Sequence, residues 1–207
     1  QLSASRTNST SDQYYFLADS NGVYGKYTRQ QLGNFSITTI AINTLFEKKQ
    51  NENTSINFEQ FKNNRLAIAN RLAKERASRQ PDYDRGNTAY PDGYSQLNQD
   101  VLLYSFIAAY MGKSTDEVDI STPFFKIPLP NWNVSYRGLT KIPGIDKIFQ
   151  SITISHAYVC TYQIGGYSTN LQYNPDEGDL QTIRDALSNF IPQVEYGQVA
   201  IMENMSP

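Results

Sequence analysis

The stretch SITISHAYVCTYQIGGY, residues 151–167, decides the fold, because a strongly alternating pattern runs through it and it holds the only histidine and cysteine of the chain. From Ile152 to Ile164, every second residue is Ile, Tyr, His156 or Cys160. The positions between them carry mainly Ser, Thr, Ala and Gln, with Val159 as the exception. A period of two, rich in β-branched and aromatic residues, is typical of a strand with one apolar face.

A strand here excludes a reactive pair between His156 and Cys160. On a helix, residues four apart would share one face, with Cβ atoms about 6 Å apart. On a strand they are about 13 Å apart, at roughly 3.3 Å per residue, and no hydrogen bond spans that distance. We therefore expect no thiol–imidazole nucleophile. The sequence shows no other enzyme signature, no cofactor motif and no metal-ligand spacing, so we expect a protein that is not an enzyme and has no cofactor.

The composition narrows the class of protein. Charged residues make up 18% of the 207 residues and aromatic residues 13%, and the formal net charge is −2. Few charges with many Asn, Ser, Thr and Tyr residues are typical of β-rich surface proteins and outer-membrane barrels. No basic excess points to nucleic acid as a partner. Because the chain begins at Gln1 without an initiator Met and ends directly after a strand pattern, we expect a piece of a longer protein.

Residues 1–50 are predicted to form N-terminal strands. Residues 1–12 are polar and are expected to be loose. Asn21–Gly22 is a strong signal for a hairpin turn between two short strands. The β-branched stretch from Gly33 predicts a strand of ten or more residues, with Ile40, Ile42 and Phe46 on one face.

Residues 51–120 are predicted to be a helical insertion with a loop. Asn57 is the expected N-cap of a first helix that ends near Arg76. A second helix is expected before Gly112, a natural residue to follow a helix end. This second helix is apolar on most of its circumference, so we expect it to be buried.

Residues 121–207 are predicted to form the C-terminal strands, with a connecting loop near 174–192 and a short helix after Asp179. The predicted fold is mainly β with a helical insertion: about six antiparallel strands and two helices. One apolar strand face is expected to meet lipid or a covering element, and its members are Ile40, Ile42, Trp132, Val134, Tyr136, Ile152, Ile154, Tyr158, Tyr162 and Ile164.

Four stretches in order, with GNFSITTIAINTLFE (33–47) upstream, carry a resemblance to a known family. They are FKNNRLAIANRLA (61–73), GYSQLNQDVLLYSFIAAYMG (93–112), residues 127–173 and FIPQVEYGQVAIMENMSP (190–207). The most specific parts are LPNW (129–132) followed by Tyr136, Gly138 and Leu139, and the strand with His156 and Tyr158. The chain resembles a C-terminal portion of the SprA/Sov family. It departs from that family's pattern at Ala157 and Val159, so it looks like a diverged member.

The resemblance implies a bacterial outer-membrane location and a role in the type IX secretion system of Bacteroidetes. The family forms the protein-conducting pore, a very large transmembrane β-barrel that exports folded cargo and supports gliding motility. This chain would be one arc of the barrel wall. The implied partners are membrane lipid, a PorV-type shuttle protein, a plug protein, a periplasmic peptidyl-prolyl isomerase and cargo with a C-terminal signal domain. The helical insertion would then lie in the lumen or cap the pore, because its loops cannot sit bare in lipid.

A soluble β-rich cell-surface binding module, glycan- or adhesin-like, is the alternative. The direction of the apolar strand faces separates the two classes. A continuous band of outward aliphatic side chains is expected of a barrel wall. The same residues packed against the helices or a second sheet would contradict the barrel wall.

Overall fold

A computed structural model describes residues 1–12, 14–16, 24–26, 29–41, 55–144, 147–148, 150–173 and 182–206. Its strands are β1 (Ala4–Ser11), β2 (Tyr14–Phe16), β3 (Tyr24–Lys26), β4 (Gln30–Thr38), β5 (Trp132–Tyr136), β6 (Ile154–Thr169), β7 (Val194–Tyr196) and β8 (Val199–Ser206). Its α-helices are α1 (Ile56–Arg79) and α2 (Gln99–Tyr110), and Gly138–Lys141 forms a 3-10 turn. The fold is mainly β, with one antiparallel six-stranded sheet that does not close on itself within the described residues.

β6 is the central strand of this sheet. Along one edge it pairs with β4 and, further towards its start, with β5. Along the other edge it pairs with β7 and β8. β1 extends the sheet outward from β4. The predicted strand at 151–167 is therefore confirmed, with bounds shifted by two or three residues.

The N-terminal region differs from expectation in two places. Residues 1–12 were expected to be loose, but β1 pairs along its whole length with β4. Its uncharged Ser and Thr residues hid an edge strand, because all its side chains are exposed and no apolar alternation is needed. The predicted pairing of two short strands is confirmed by β2 and β3, and the predicted turn at Asn21–Gly22 lies outside the described residues.

The strand predicted from Gly33 onward begins earlier and stops earlier. β4 ends at Thr38, so Ile40 lies beyond it, and the face that β4 shares with the core carries Phe35 and Ile37. The chain leaves the sheet at this point because β5 takes over the same edge of β6. Ile42 and Phe46 lie outside the described residues.

Both predicted helices are confirmed, with different ends. The N-cap of α1 is Ser55, two residues before the expected cap Asn57, and the helix runs three residues beyond Arg76. In α2, the side chain of Asn98 accepts hydrogen bonds from the first-turn amides. Gly112 follows α2 with a φ of 61°, which suits glycine. Most of α2 is buried, as its apolar circumference predicts.

Within the described residues, one hydrophobic core lies between one face of the sheet and the two helices. The segment 118–130, here called the strap, connects the region after α2 to β5 and contributes to this core. Phe124 of the strap packs edge-on against Phe35 with ring centroids 5.2 Å apart, and Phe125 lies 4.5 Å from Tyr162. The strap thus lies directly against the sheet.

The start of α2 is joined to β7 by a side chain that acts like a strand partner. The Nε2 of Gln99 donates to the carbonyl of Val194 at 2.9 Å, and the amide of Tyr196 donates to Oε1 of Gln99 at 3.0 Å. These two bonds satisfy backbone groups of β7 that would otherwise face outward. They also fix where the helix starts relative to the sheet.

The C-terminal region also departs from the prediction. The single expected strand is divided into β7 and β8 around Gly197, whose amide donates to the carbonyl of Gly166 at 2.8 Å. The expected short helix after Asp179 is wrong over residues 182–190, which form turns closed by a bridge between Arg184 and Phe190. Asp185 and Asn189 hydrogen-bond each other here, which favours the turn.

One glycine lets the central strand reach the edge strand. The ring of Tyr167 passes over Gly33 of β4, and its hydroxyl donates to the carbonyl of Thr7 in β1 at 2.9 Å. A Cβ at Gly33 would lie 2.5 Å from this ring and 2.1 Å from the Thr7 oxygen. Only glycine leaves room for this contact.

Gly33→Ala is therefore expected to destabilise the chain by about 1–3 kcal/mol, because the added methyl displaces Tyr167 and breaks its bond to Thr7. The measurement is the free energy of unfolding in urea. Gly166→Ala is the matched control, since no atom lies within 4 Å of its added Cβ. Equal losses in both variants would contradict the placement of Tyr167.

Candidate functional site

The predicted strand face becomes progressively more covered along β6. Cross-strand pairing places Trp132, Val134 and Tyr136 opposite Tyr158, His156 and Ile154, so these six share the face. Tyr158, Tyr162 and Ile164 are fully buried. The face therefore has a covered part, towards the end of β6, and an open part beside β5.

The cover is built by the chain itself. Tyr162 contacts the strap through Phe125, and Phe124 packs edge-on on Tyr167 with centroids 5.2 Å apart. Above the strap, the same core includes Ile68 of α1 and Ile107 of α2. The expected covering element is thus the helical insertion together with the strap.

The open part of the face carries exposed apolar side chains. Val134 is 57% exposed, and Tyr136 and Ile154 are each 54% exposed. Trp132 marks the boundary, because it stacks on the buried Tyr158 with centroids 4.5 Å apart. Of the remaining predicted members, Ile40 packs against the core, Ile152 is half-buried before β6 begins, and Ile42 lies outside the described residues.

His156 and Cys160 stand on this face with Tyr158 between them. The hydroxyl of Tyr158 donates to Glu203 at 2.5 Å and accepts from the amide of Ala41 at 2.8 Å. Burial raises the pKa of the Cys160 thiol, and the thiol is fully buried. A buried thiol with a raised pKa is a poor nucleophile, and the extended strand β6 holds His156 and Cys160 four residues apart.

The opposite face of the sheet has a different chemistry. On β6 it presents Ser155, Ala157, Val159, Thr161 and Gln163, none of which is charged. The flanking strands contribute residues of the same kind, including Leu32 and Asn34 of β4 and Met202 and Asn204 of β8. Val159 is 49% exposed and Met202 52%. Small polar side chains with scattered aliphatic ones cover this face.

A cavity of about 370 Å³ lies where α1, α2 and β7 meet, and we call it the Asp100 cavity. The charged groups that line it are Glu75, Arg76, Arg79 and Asp100, and its tyrosines are Tyr94, Tyr104, Tyr173 and Tyr196. Aliphatic walls come from Leu72, Ile120, Ile191 and Val194. A few polar groups converging in a partly apolar concavity are typical of ligand sites.

Burial strongly perturbs the carboxyl group of Asp100 in the wall of this cavity. Burial raises the pKa of its carboxyl from 3.8 to about 6, and a hydrogen bond from Gln99 partly opposes this. Burial is the main cause that raises the pKa of Tyr104 and of Tyr196, and the negative charge of Asp100 is the second cause. The pKa of Tyr196 is raised to about 12. The carboxylate therefore lies close to both tyrosines.

Arg76 occupies another part of the cavity wall. It is almost fully buried, and its guanidinium lies 3.5 Å from the ring centroid of Phe190. Arg184 lies over the same ring at 4.4 Å and pairs with Asp92. These contacts hold the loop around Phe190 against α1.

Sequence reasoning did not find the Asp100 cavity because its residues come from distant segments. One signal was present. Asp100 is the only charged residue in the otherwise apolar α2, and a charge in a helix that must be buried points to a special environment.

Comparisons with family models and with curated proteins gave no match. The resemblance to the SprA/Sov family therefore depends on the quoted sequence stretches alone. Of the described helices, none is both long and apolar enough to cross a membrane. Within the described ranges, no group of three or more His, Cys, Asp and Glu residues is placed to hold a metal ion.

The covered face predicts that Cys160 reacts with a thiol reagent about a hundredfold more slowly in the folded chain than in urea, because the thiol is buried and protonated. Reaction with a chromogenic disulfide measures the rate. The control is Val159→Cys in a Cys160→Ser background, which moves the thiol by one residue to the opposite, exposed face of the sheet, where it is expected to react fast. Fast reaction of native Cys160 would contradict the cover.

Asp100 predicts a distinct dependence of stability on pH. The pKa of Asp100 is higher in the folded than in the unfolded chain. The contribution of Asp100 to the free energy of unfolding is therefore most favourable below about pH 4 and declines as the pH rises through 6. The decline amounts to about 3 kcal/mol. Asp100→Asn is expected to remove it and to raise the free energy of unfolding at pH 7, as measured by urea unfolding across this pH range.

Asp119→Asn is the control of opposite sign. Two hydrogen bonds from Ser121 lower the pKa of Asp119, so its carboxylate stabilises the fold at neutral pH. Its replacement is expected to reduce stability there. A lower stability of Asp100→Asn at pH 7 would contradict the placement of Asp100.

Proposed function

We propose that this chain is a segment of the protein-conducting outer-membrane pore of the type IX secretion system, a relative of the SprA/Sov family. It would serve the export of folded cargo and gliding motility. The PorV-type shuttle, the plug protein, the periplasmic isomerase and cargo with a C-terminal signal domain are the partners that go with this role.

The observation that carries the proposal is the open sheet. Within the described residues, β1 has a partner only in β4, and β8 has one only in β6. Each outer strand thus presents an edge of unpaired backbone groups, which proteins usually cover or pair. Neighbouring strands of a longer sheet would satisfy both edges. The family-like stretches also fall on the elements that build this sheet and its cover.

The covered face contradicts a wall in which Tyr158, Tyr162 and Ile164 face lipid, so the proposal requires the opposite face of the sheet to form the lipid side. Tyr158, Tyr162 and Ile164 lie under the strap and helices, so they do not meet lipid. In a wall, the helices would occupy the lumen side, and the face with Val159 would point outward. That face is uncharged on β6, which avoids the largest cost of lipid contact. Its Ser, Thr and Gln residues are still less suited to lipid than aliphatic ones.

A specific observation favours the second candidate, a soluble β-rich cell-surface binding module. The apolar face packs against the helices, which is the arrangement expected of a soluble layer and not of a lipid-facing wall. The Asp100 cavity, with its tyrosines, would then be the binding site.

Membrane fractionation of the full-length protein in its own host separates the two functions. The pore proposal predicts recovery in the outer membrane, resistant to an alkaline wash and released by detergent. Recovery in the soluble fraction without detergent would reject it.

A substitution on the opposite face of the sheet, which carries Val159, makes this experiment more specific. Val159→Arg would place a cation on the outward side of a wall, at a cost of about 2–4 kcal/mol if it lies near the middle of the membrane. We expect a clear loss of protein from the outer membrane. Ala77→Arg on the exposed side of α1 is the control and should leave the amount unchanged. Equal amounts of both variants in the outer membrane would contradict lipid contact at this face.

A further inference from the structure

The Asp100 cavity has an anionic part beside α2. Asp100 lies in the first turn of α2, and Tyr104 follows one helical turn later on the same side, so both line the cavity. Tyr196 of β7 completes this part, and the Gln99 bridge to β7 holds the strand and the start of α2 together. The carboxylate of Asp100 on α2 and the ring of Tyr196 on β7 are thus carried by two regular elements that are fixed to each other.

Among the described residues, none forms an ion pair with Asp100. Arg76 and Arg79 line the cavity on the α1 side, but neither guanidinium lowers the pKa of Asp100. Arg76 stacks instead on Phe190. The cavity therefore separates its charges, with guanidinium groups towards α1 and a carboxylate among tyrosines at α2 and β7.

A partly buried carboxylate beside aromatic rings is suited to a positive ligand. The carboxylate accepts charge-assisted hydrogen bonds from an ammonium group, and the faces of tyrosine rings attract cations. A volume of about 370 Å³ admits a molecule of modest size. The aliphatic walls formed by Leu72, Ile120 and Val194 suit a short hydrocarbon chain.

We propose that the Asp100 cavity binds a small organic cation, an ammonium group on a short aliphatic chain, with Asp100 as its counter-ion and Tyr104 and Tyr196 as its aromatic neighbours. This site is independent of the pore function, because it lies between the helices and β7 and not on the sheet face that carries Val159.

The test uses pentylammonium as the probe and 1-pentanol as its neutral counterpart of equal chain length. Binding to the 207-residue chain is followed by NMR titration. Pentylammonium is expected to bind and to show contacts with the rings of Tyr104 and Tyr196, whereas pentanol binds at least about tenfold more weakly.

Two variants locate the counter-ion. Asp100→Asn keeps the shape and removes the charge, and it is expected to weaken pentylammonium binding by at least about tenfold. Asp116→Asn removes an exposed carboxylate that does not line the cavity, and it should leave binding unchanged. Circular dichroism confirms that each variant is folded, and the ring contacts in the unmodified chain test the site without any variant.

Four results would overturn the proposal. They are no binding of pentylammonium to the unmodified chain, equal binding of pentanol, unchanged binding in Asp100→Asn, or displacement of the probe by inorganic phosphate, which would mark the cavity as an anion site built on Arg76 and Arg79.

Discussion

The pairing of β6 on both edges is the constraint on which the rest of the structure depends. Sixteen residues form this strand, and four other strands take their register from it. Because side chains alternate along a strand, one register places Tyr158, Tyr162 and Ile164 on the same side and commits them to burial. The segment between β4 and β5, which contains the two helices and the strap, covers these side chains.

The same route of the chain creates the Asp100 cavity. α2 shares the core with the apolar face, and at its first turn the side chain of Gln99 bonds the backbone groups of Val194 and Tyr196 in β7. Asp100 follows Gln99 in the chain and therefore lies among the tyrosines of the cavity. Burial of its carboxylate there lowers the stability of the fold at neutral pH. A charge held in place at such a cost is characteristic of functional sites, although ion-pair networks also perturb pKa values.

The alternation in residues 151–167 and the apolar character of α2 predicted the central strand, its apolar face and the buried helix, because local periodicity reports burial directly. Local periodicity did not predict β1, because the exposed Ser and Thr side chains of this strand carry no such signal. Nor did it predict the end of β4 at Thr38, which is set by β5 taking the place of β4 beside β6. Whether the face meets lipid or protein was also left open by the pattern, since both surroundings select the same side chains. The Asp100 cavity depends on contacts between distant segments, which no local pattern records.

The central claim is that the chain's own strap and helices cover the apolar face of β6. Hydroxyl-radical footprinting of the chain in buffer without detergent tests it most directly, because tyrosines share one intrinsic reactivity and differ here only in exposure. Tyr158 and Tyr162 are expected to be oxidised much more slowly than Tyr136, which lies on the open part of the same face. Oxidation of all three tyrosines at similar rates would contradict the covered face.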